Sequence, residues 1–359
     1  MSLILYLAMA STGVLGCVHE HIYGYTSKWL LWLTGIMFVL TSCSRIDHCY
    51  DYSDLTHYVN YFLDDNDAYF EPGYVFITDA IKFLIGYYPI VLVAFIAIWG
   101  FGAYYLAEMV CSRYASSYDE NFFTSYPSTF ILLLILYWGC CFACEGLRNG
   151  LAIPMLLCSA AYLINEKYWQ ALLISVLALL FHFSALIFIL GIPILAIIKT
   201  LSKNSYIYWF GALIFLDILI GLVVAFEIPV VTDLFNLIGQ FEQLSHYDNY
   251  VGEEVESYFS TQYLTYHLLG LLMLWGDFED KSYNRAVMLY YIGLSLGTLF
   301  QTTIIVMRIQ WLYLPMVVFA LYYYFRNDER RLPEEKIMVI AGYGLVQSIM
   351  VLRYLGWYV

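Results

Sequence analysis

Arg148 stands in Glu145-Gly-Leu-Arg-Asn-Gly150, between two long apolar runs, with glycines on both sides that suit a tight hairpin or a broken helix. A guanidinium at that depth is costly unless it is paired or faces water, so it marks a site by default. Its planar fork can hold two phosphate oxygens at once. The plainer alternative is an arginine that snorkels to the headgroups or pairs with Glu145. His182 closes an apolar run in Leu180-Phe-His-Phe-Ser184, where it can act as a base or hydrogen-bond a pyrophosphate or a sugar, or simply end a helix. Arg308, between Met307 and Ile309, is the one basic residue between Arg285 and Arg326. It reads either as a second cation for a doubly charged leaving group or as an interfacial anchor beside Trp311 and Tyr313.

The carboxylates that go with these cations lie in the first polar stretch. Asp54 and Tyr58 are one helical turn apart in Asp54-Leu-Thr-His57-Tyr58-Val-Asn-Tyr61. Upstream stand Arg45 and Asp51. Downstream, Glu71-Pro72-Gly73-Tyr74 turns the chain. A carboxylate held beside aromatics at a membrane surface suits a base or a sugar clamp, and equally a helix cap. There is no phosphate-binding glycine loop, no His-Glu-x-x-His, no nucleophile elbow and no dinucleotide fingerprint. If the protein transfers a sugar, the donor must therefore be borne on a lipid. Cys141-x-x-Cys144 lies in an apolar run and reads as helix packing rather than metal ligation. Cys43 and Cys49 flank the first polar loop, where a pairing is open if that loop is extracytoplasmic.

The elements that must position these groups are transmembrane helices. Hydrophobic residues make up 62% of the 359 positions and charged ones 13%. Mean hydropathy is +0.70. A soluble domain could not bury that much apolar surface, so the fold class is all-α and polytopic. Twelve apolar runs are long enough to be candidate spans: 2–18, 27–43, 89–110, 127–146, 148–164, 168–183, 184–200, 205–226, 262–276, 286–304, 309–326 and 337–355. Leu3–Leu15 has no basic stretch before it and reads as the first helix rather than a cleavable signal. Many of the 36 tyrosines fall at the ends of these runs, where their rings suit the headgroup region.

Placing Lys28 in the cytoplasm puts eleven of the sixteen basic residues inside and leaves Arg45, Lys82, Arg148, Arg308 and Arg353 outside. That orientation requires residues 74–88 to lie along the outer interface as a helix with Asp79 and Lys82 on one face. The expected organisation is one transmembrane domain over 1–359, with an acidic extracytoplasmic loop and interfacial helix over 44–88 and a second large outer loop over 227–261.

Three stretches together give the chain a likeness to a known family. They are Asp54-x-x-x-Tyr58 with Phe70-Glu-Pro-Gly-Tyr74; Leu147-Arg-Asn-Gly-Leu-Ala152 leading to Phe181-His-Phe-Ser184; and Arg308 ahead of Leu312-Tyr-Leu-Pro315. The chain resembles the Wzy-type polysaccharide polymerases, in their EpsG-like branch. The resemblance implies a glycosyltransferase C-like helical architecture in the bacterial inner membrane, with the active site facing the periplasm or exterior. It implies transfer of a growing glycan from undecaprenyl pyrophosphate to a lipid-linked oligosaccharide repeat. On it, Asp54, Asp51 or His182 is the base; Arg148 and Arg308 hold pyrophosphate; Tyr58, Glu71 and Arg45 contact substrate. No metal and no cofactor is expected, and no nucleic acid. Bilayer lipid is a partner, and a flippase and a chain-length regulator are possible ones. Two alternatives stay open. One is an O-antigen ligase or other lipid-linked glycosyltransferase, metal-dependent or not. The other is a glycolipid flippase or transporter, although no internal repeat is visible.

The charge asymmetry sets a topology that labelling can check. In a cysteine-free background, Asp65→Cys and Ser245→Cys should react with an impermeant thiol reagent from outside, and Lys203→Cys and Glu329→Cys should not. The reverse pattern would turn the protein over.

Overall fold

The computed structural model describes residues 2–48, 54–64, 70–115, 125–144, 146–225, 261–299, 311–327 and 333–354. Among them every regular element is helical. Asp51, Arg308, Glu145, Cys49 and nearly all of the 227–261 loop lie outside the described residues. Two compact units divide the chain, 1–197 with 322–359 and 198–321.

The first unit begins with α1 (Ser2–Tyr23) and α2 (Lys28–Cys43), followed by a 3-10 turn at Ser44–His48 that carries Arg45. Then come α3 (Asp54–Asp64), α4 (Pro72–Leu84) and α5 (Pro89–Ala115). Next are α6 (Pro127–Leu134), a π-helical turn at Ile135–Gly139 and α7 (Cys140–Cys144). The unit continues through α8 (Leu147–Ile164), α9 (Tyr168–Leu179) and α10 (Ala185–Ile197). Prolines open α4, α5 and α6, where the missing N–H costs nothing and φ is already helical. Pro154 inside α8 and Pro193 inside α10 are tolerated because lipid-embedded helices re-satisfy the freed carbonyls through neighbours.

Among the described residues, six helices are long and apolar enough to cross a membrane: Leu3–Tyr23, Lys28–Ile46, Pro89–Tyr114, Pro127–Cys144, Leu147–Ile164 and Lys203–Leu222. The expected runs 168–183 and 184–200 form shorter apolar helices of 12 and 13 residues, because the chain breaks at Leu180–Ser184. The run over 74–88 gives α4, 13 residues or about 20 Å at the α-helical rise, which is short of a crossing.

Helix packing uses polar hydroxyls and small residues, as expected where lipid removes the hydrophobic drive between helices. Ile96 meets Gly150, Trp99 Nε1 donates to Leu151 O at 3.1 Å, and Cys158 Sγ donates to Ala103 O at 3.1 Å, so α5 and α8 run parallel. Ser159 Oγ donates to Ala171 O at 2.7 Å and lies 2.7 Å from Ser175 Oγ, which pins α9 antiparallel to α8. Buried Glu20 on α1 accepts the Ser128 and Thr129 N–H groups at 2.7 and 2.9 Å, capping α6 from outside with a charge suited to a helix N-terminus.

The second unit contains α11 (Lys203–Ala225), α12 (Thr261–Met273), α13 (Lys281–Leu299) and a 3-10 turn at Leu314–Met316. Asp217, deep in α11, is held by the Tyr263 hydroxyl and by His267 Nε2 at 3.0 Å; Tyr263 Oη also meets Thr298 Oγ1 at 3.0 Å. The chain then runs into α14 (Val317–Asn327) and α15 (Pro333–Tyr354).

Some tyrosines serve inside the helix packing as well. Tyr6, Tyr206, Tyr290 and Tyr291 are buried, and they donate to helix carbonyls at Leu136 (2.9 Å), Asn284 (2.8 Å), Tyr266 (2.7 Å) and Gly270 (3.0 Å). A phenol fits here because its ring fills apolar space while its hydroxyl finds a spare carbonyl lone pair.

A Cβ at Gly150 would sit 2.6 Å from Ile96 Cγ2 and 2.6 Å from the Phe142 carbonyl oxygen. Gly150→Ala should therefore cost about 1–3 kcal/mol through overpacking at the α5–α8 contact, read as a lowered thermal midpoint in detergent. An unchanged midpoint would contradict that close approach.

Candidate active site

The start of α8, the start of α4, the start of α5 and the turn between α9 and α10 meet at one end of the first unit. A buried apolar floor supports them, made of Leu55, Tyr58, Val59 and Phe62 from α3, Tyr74 and Ile81 from α4, Leu92, Val93 and Ile96 from α5, and Leu147 and Leu151 from α8. Phe181 packs on it, as do Cys43 and Ile46, which flank Arg45. The α4 start is tied to the α9–α10 turn by a backbone bond from the Gly73 N–H to Leu180 O at 2.7 Å. Only glycine permits this approach, since a Cβ there would lie 2.6 Å from the same oxygen.

On this floor the polar side chains form one connected set. Arg148, the second residue of α8, donates from Nη1 to Glu71 Oε2 at 2.9 Å and from Nε to the Tyr58 hydroxyl at 3.1 Å. Its guanidinium lies 5.0 Å from the Phe70 ring centre and 5.6 Å from that of Tyr58, within cation–π range. Glu71 Oε1 accepts the Phe183 backbone N–H at 3.1 Å and faces His182 Nδ1 at 3.3 Å. The Ser184 N–H also approaches Nδ1, at 3.5 Å. The two contacts ask opposite roles of that nitrogen. The nearer, anionic oxygen prevails and places a proton on Nδ1, which makes Nε2 the basic nitrogen, in the manner of a carboxylate–histidine pair.

Side-chain exposures of 22%, 15% and 14% for Arg148, Glu71 and His182 leave the set mostly dry yet reachable. Burial alone pushes the Glu71 carboxyl up. The hydrogen bond from His182 and the charges of Arg148 and His182 outweigh it and hold the group at about 2.

The structure therefore brings together Tyr58, Glu71, Arg148 and His182, four of the expected site residues. Asp54 opens α3 one turn before Tyr58. Arg45 is buried in its 3-10 turn. The EpsG family model matches residues 28–355.

The chain belongs to the EpsG family.

The family points to a polysaccharide polymerase, a glycosyltransferase-type enzyme acting on lipid-linked oligosaccharide in a membrane. No curated protein and no solved structure matches the chain. Within this EpsG-family chain, two participants went unread at the sequence level: the Phe70 ring on Arg148 and the Phe183 N–H on Glu71. Glu71 itself was read as a substrate contact or a cap, without its place at the centre of the set. A signal did exist. Glu is a weak N-cap residue beside Ser, Asp or Asn, and here it stands at the N-cap of α4 with no side-chain capping bond. A carboxylate placed there without capping has its partner elsewhere.

Because the Glu71 carboxyl is lowered from 4.5 to about 2, its contribution to stability is complete above pH 4.5 and is lost as pH falls toward 2. The full effect is on the order of 3 kcal/mol. The difference in thermal midpoint between the wild-type protein and Glu71→Gln should shrink steadily across that window. A constant difference would mean that the carboxylate is not ion-paired.

Proposed function

We propose that this protein polymerises polysaccharide at the outer face of the bacterial inner membrane. It would move a growing glycan from undecaprenyl pyrophosphate to the nonreducing end of the next lipid-linked repeat. The observation that carries this reading is the Arg148–Glu71–His182 chain. It couples a cation suited to the leaving group with a base suited to the acceptor.

The donor's pyrophosphate would lie against Arg148 at the N-terminal end of α8, where the helix dipole also favours an anion. Arg308 is the proposed second cation. The acceptor hydroxyl attacks the anomeric carbon of the growing chain and gives its proton to His182 Nε2. The bond from that carbon to the pyrophosphate oxygen breaks, and its electron pair leaves with the pyrophosphate. One displacement of this kind inverts the anomeric centre. Stabilising the departing charge is the larger contribution and proton transfer the smaller. Tyr58 steadies the guanidinium, Arg45, whose neighbours Cys43 and Ile46 pack on the same floor, is the proposed further substrate contact, and Asp54 and Asp51 are the carboxylates that would take the base role if His182 does not.

Purified protein and lipid-linked repeats test this directly. Arg148→Lys keeps the charge but not the fork and should lose most polymerisation. His182→Gln should lower turnover by a factor on the order of 10² to 10⁴, and the wild-type enzyme should work in excess EDTA. An active His182→Gln beside a dead Asp54→Asn would move the base to Asp54. Rescue of an EDTA-inhibited enzyme by Mg²⁺ would replace the metal-free mechanism. In cells, loss of the gene should leave single repeats and no long chains.

A further inference from the structure

Glu71 stands where an anion would have to bind. Its two oxygens gather Arg148 Nη1 at 2.9 Å, the Phe183 N–H at 3.1 Å and His182 Nδ1 at 3.3 Å. Donors that converge in this way suit a phosphate as well as they suit a carboxylate, and an arginine fork takes either. The side chain has no capping duty in α4. The turn around it has ties that do not use the Arg148 contact: Gly73 N–H to Leu180 O at 2.7 Å, Tyr74 and Val75 donating to Glu71 O at 3.0 and 3.1 Å, and the buried Tyr74 ring. The carboxylate can therefore let go of Arg148 without unmaking the turn that carries it. Arg148 would keep its seat meanwhile, through the Tyr58 hydroxyl and the Phe70 ring.

We propose that Glu71 is a resident anion that fills the phosphate seat of the ligand-free enzyme and yields Arg148 to the incoming pyrophosphate while keeping its hold on His182. The proposal rests on the reading of Arg148 as the pyrophosphate-binding residue. Two consequences follow from the exchange. Every binding event must break the Arg148–Glu71 pair, so the carrier binds less tightly than Arg148 alone would hold it. The spent carrier is therefore released more readily. The carboxylate freed from Arg148 is left with His182 and the Phe183 N–H, and its undivided charge strengthens its grip on the Nδ1 proton and makes Nε2 a better acceptor just when a donor is in place.

The test is binding of undecaprenyl pyrophosphate, which carries no glycan to transfer, to the purified full-length protein in nanodiscs, followed alongside polymerisation. Glu71→Gln should bind it about 5- to 50-fold more tightly than the wild type, in line with the usual size of a coupling between two groups, while turnover falls. Glu71→Asp, with the same charge on a shorter arm, should shift affinity the same way by less. Arg148→Lys should weaken binding in both backgrounds. Unchanged or weaker binding by Glu71→Gln, where Arg148→Lys still weakens the wild type, would overturn the resident-anion role and leave the reading of Arg148 standing. Binding that is absent, or indifferent to Arg148→Lys, would remove that reading and the proposal with it. Failure of both Glu71 variants to fold would make the carboxylate a structural tie and overturn the proposal.

Discussion

The carboxylate of Glu71 reconciles two nitrogen groups that would otherwise be hard to keep at a membrane boundary. Arg148 is mostly buried, and a guanidinium left without a counter-charge there would be strongly destabilising. Sharing one anion between Arg148 and His182 settles the charge of the first and the orientation of the second. The surrounding elements serve that arrangement. The Pro72–Gly73 turn presents the carboxylate, α3 brings Tyr58 and the floor, α8 brings the arginine on its first turn, and the break after α9 brings the histidine with a backbone N–H beside it.

The same economy of polar groups runs through the rest of the molecule. Between lipid-exposed helices, apolar surface gives little preference for one neighbour over another, so directed hydrogen bonds specify the packing. Glu20 caps α6 from α1, Ser159 and Ser175 lock α8 to α9, and buried tyrosines reach across to helix carbonyls. In the second unit Asp217, His267, Tyr263 and Thr298 close on one another in the same way. An ionisable group in this setting is sustained by neighbours that satisfy it, and Glu71 is the case in which those neighbours also face outward enough to be reached.

Much of this was legible in the sequence because the membrane simplifies the code. Long apolar runs announce helices, and Arg148 and His182 stand out because polar residues are rare around them. Tyr58 was found through its one-turn spacing from Asp54. What could not be read depends on long-range approach. The Glu71–Arg148 contact joins residues 77 positions apart and the Glu71–Phe183 contact residues 112 apart, and no local period encodes either. The partners of the buried tyrosines were hidden for a related reason. An amphipathic ring suits both the headgroups and an interhelical carbonyl, and only packing decides between them. The ends of α9 and α10 were hidden for the same reason: the break at Leu180–Ser184 shortens two apolar runs that composition alone reads as longer.

Those two shortened helices, α9 and α10, have a bearing on the membrane itself. At 12 and 13 residues they extend about 18–20 Å, against a hydrocarbon core of roughly 30 Å. Lipid beside them must shorten, tilt or let water descend to meet the turn that joins them. That turn carries His182 and the Phe183 amide. A thinned patch of bilayer would thus lie against the site, and a lipid-linked headgroup would have a shorter way there to charged side chains.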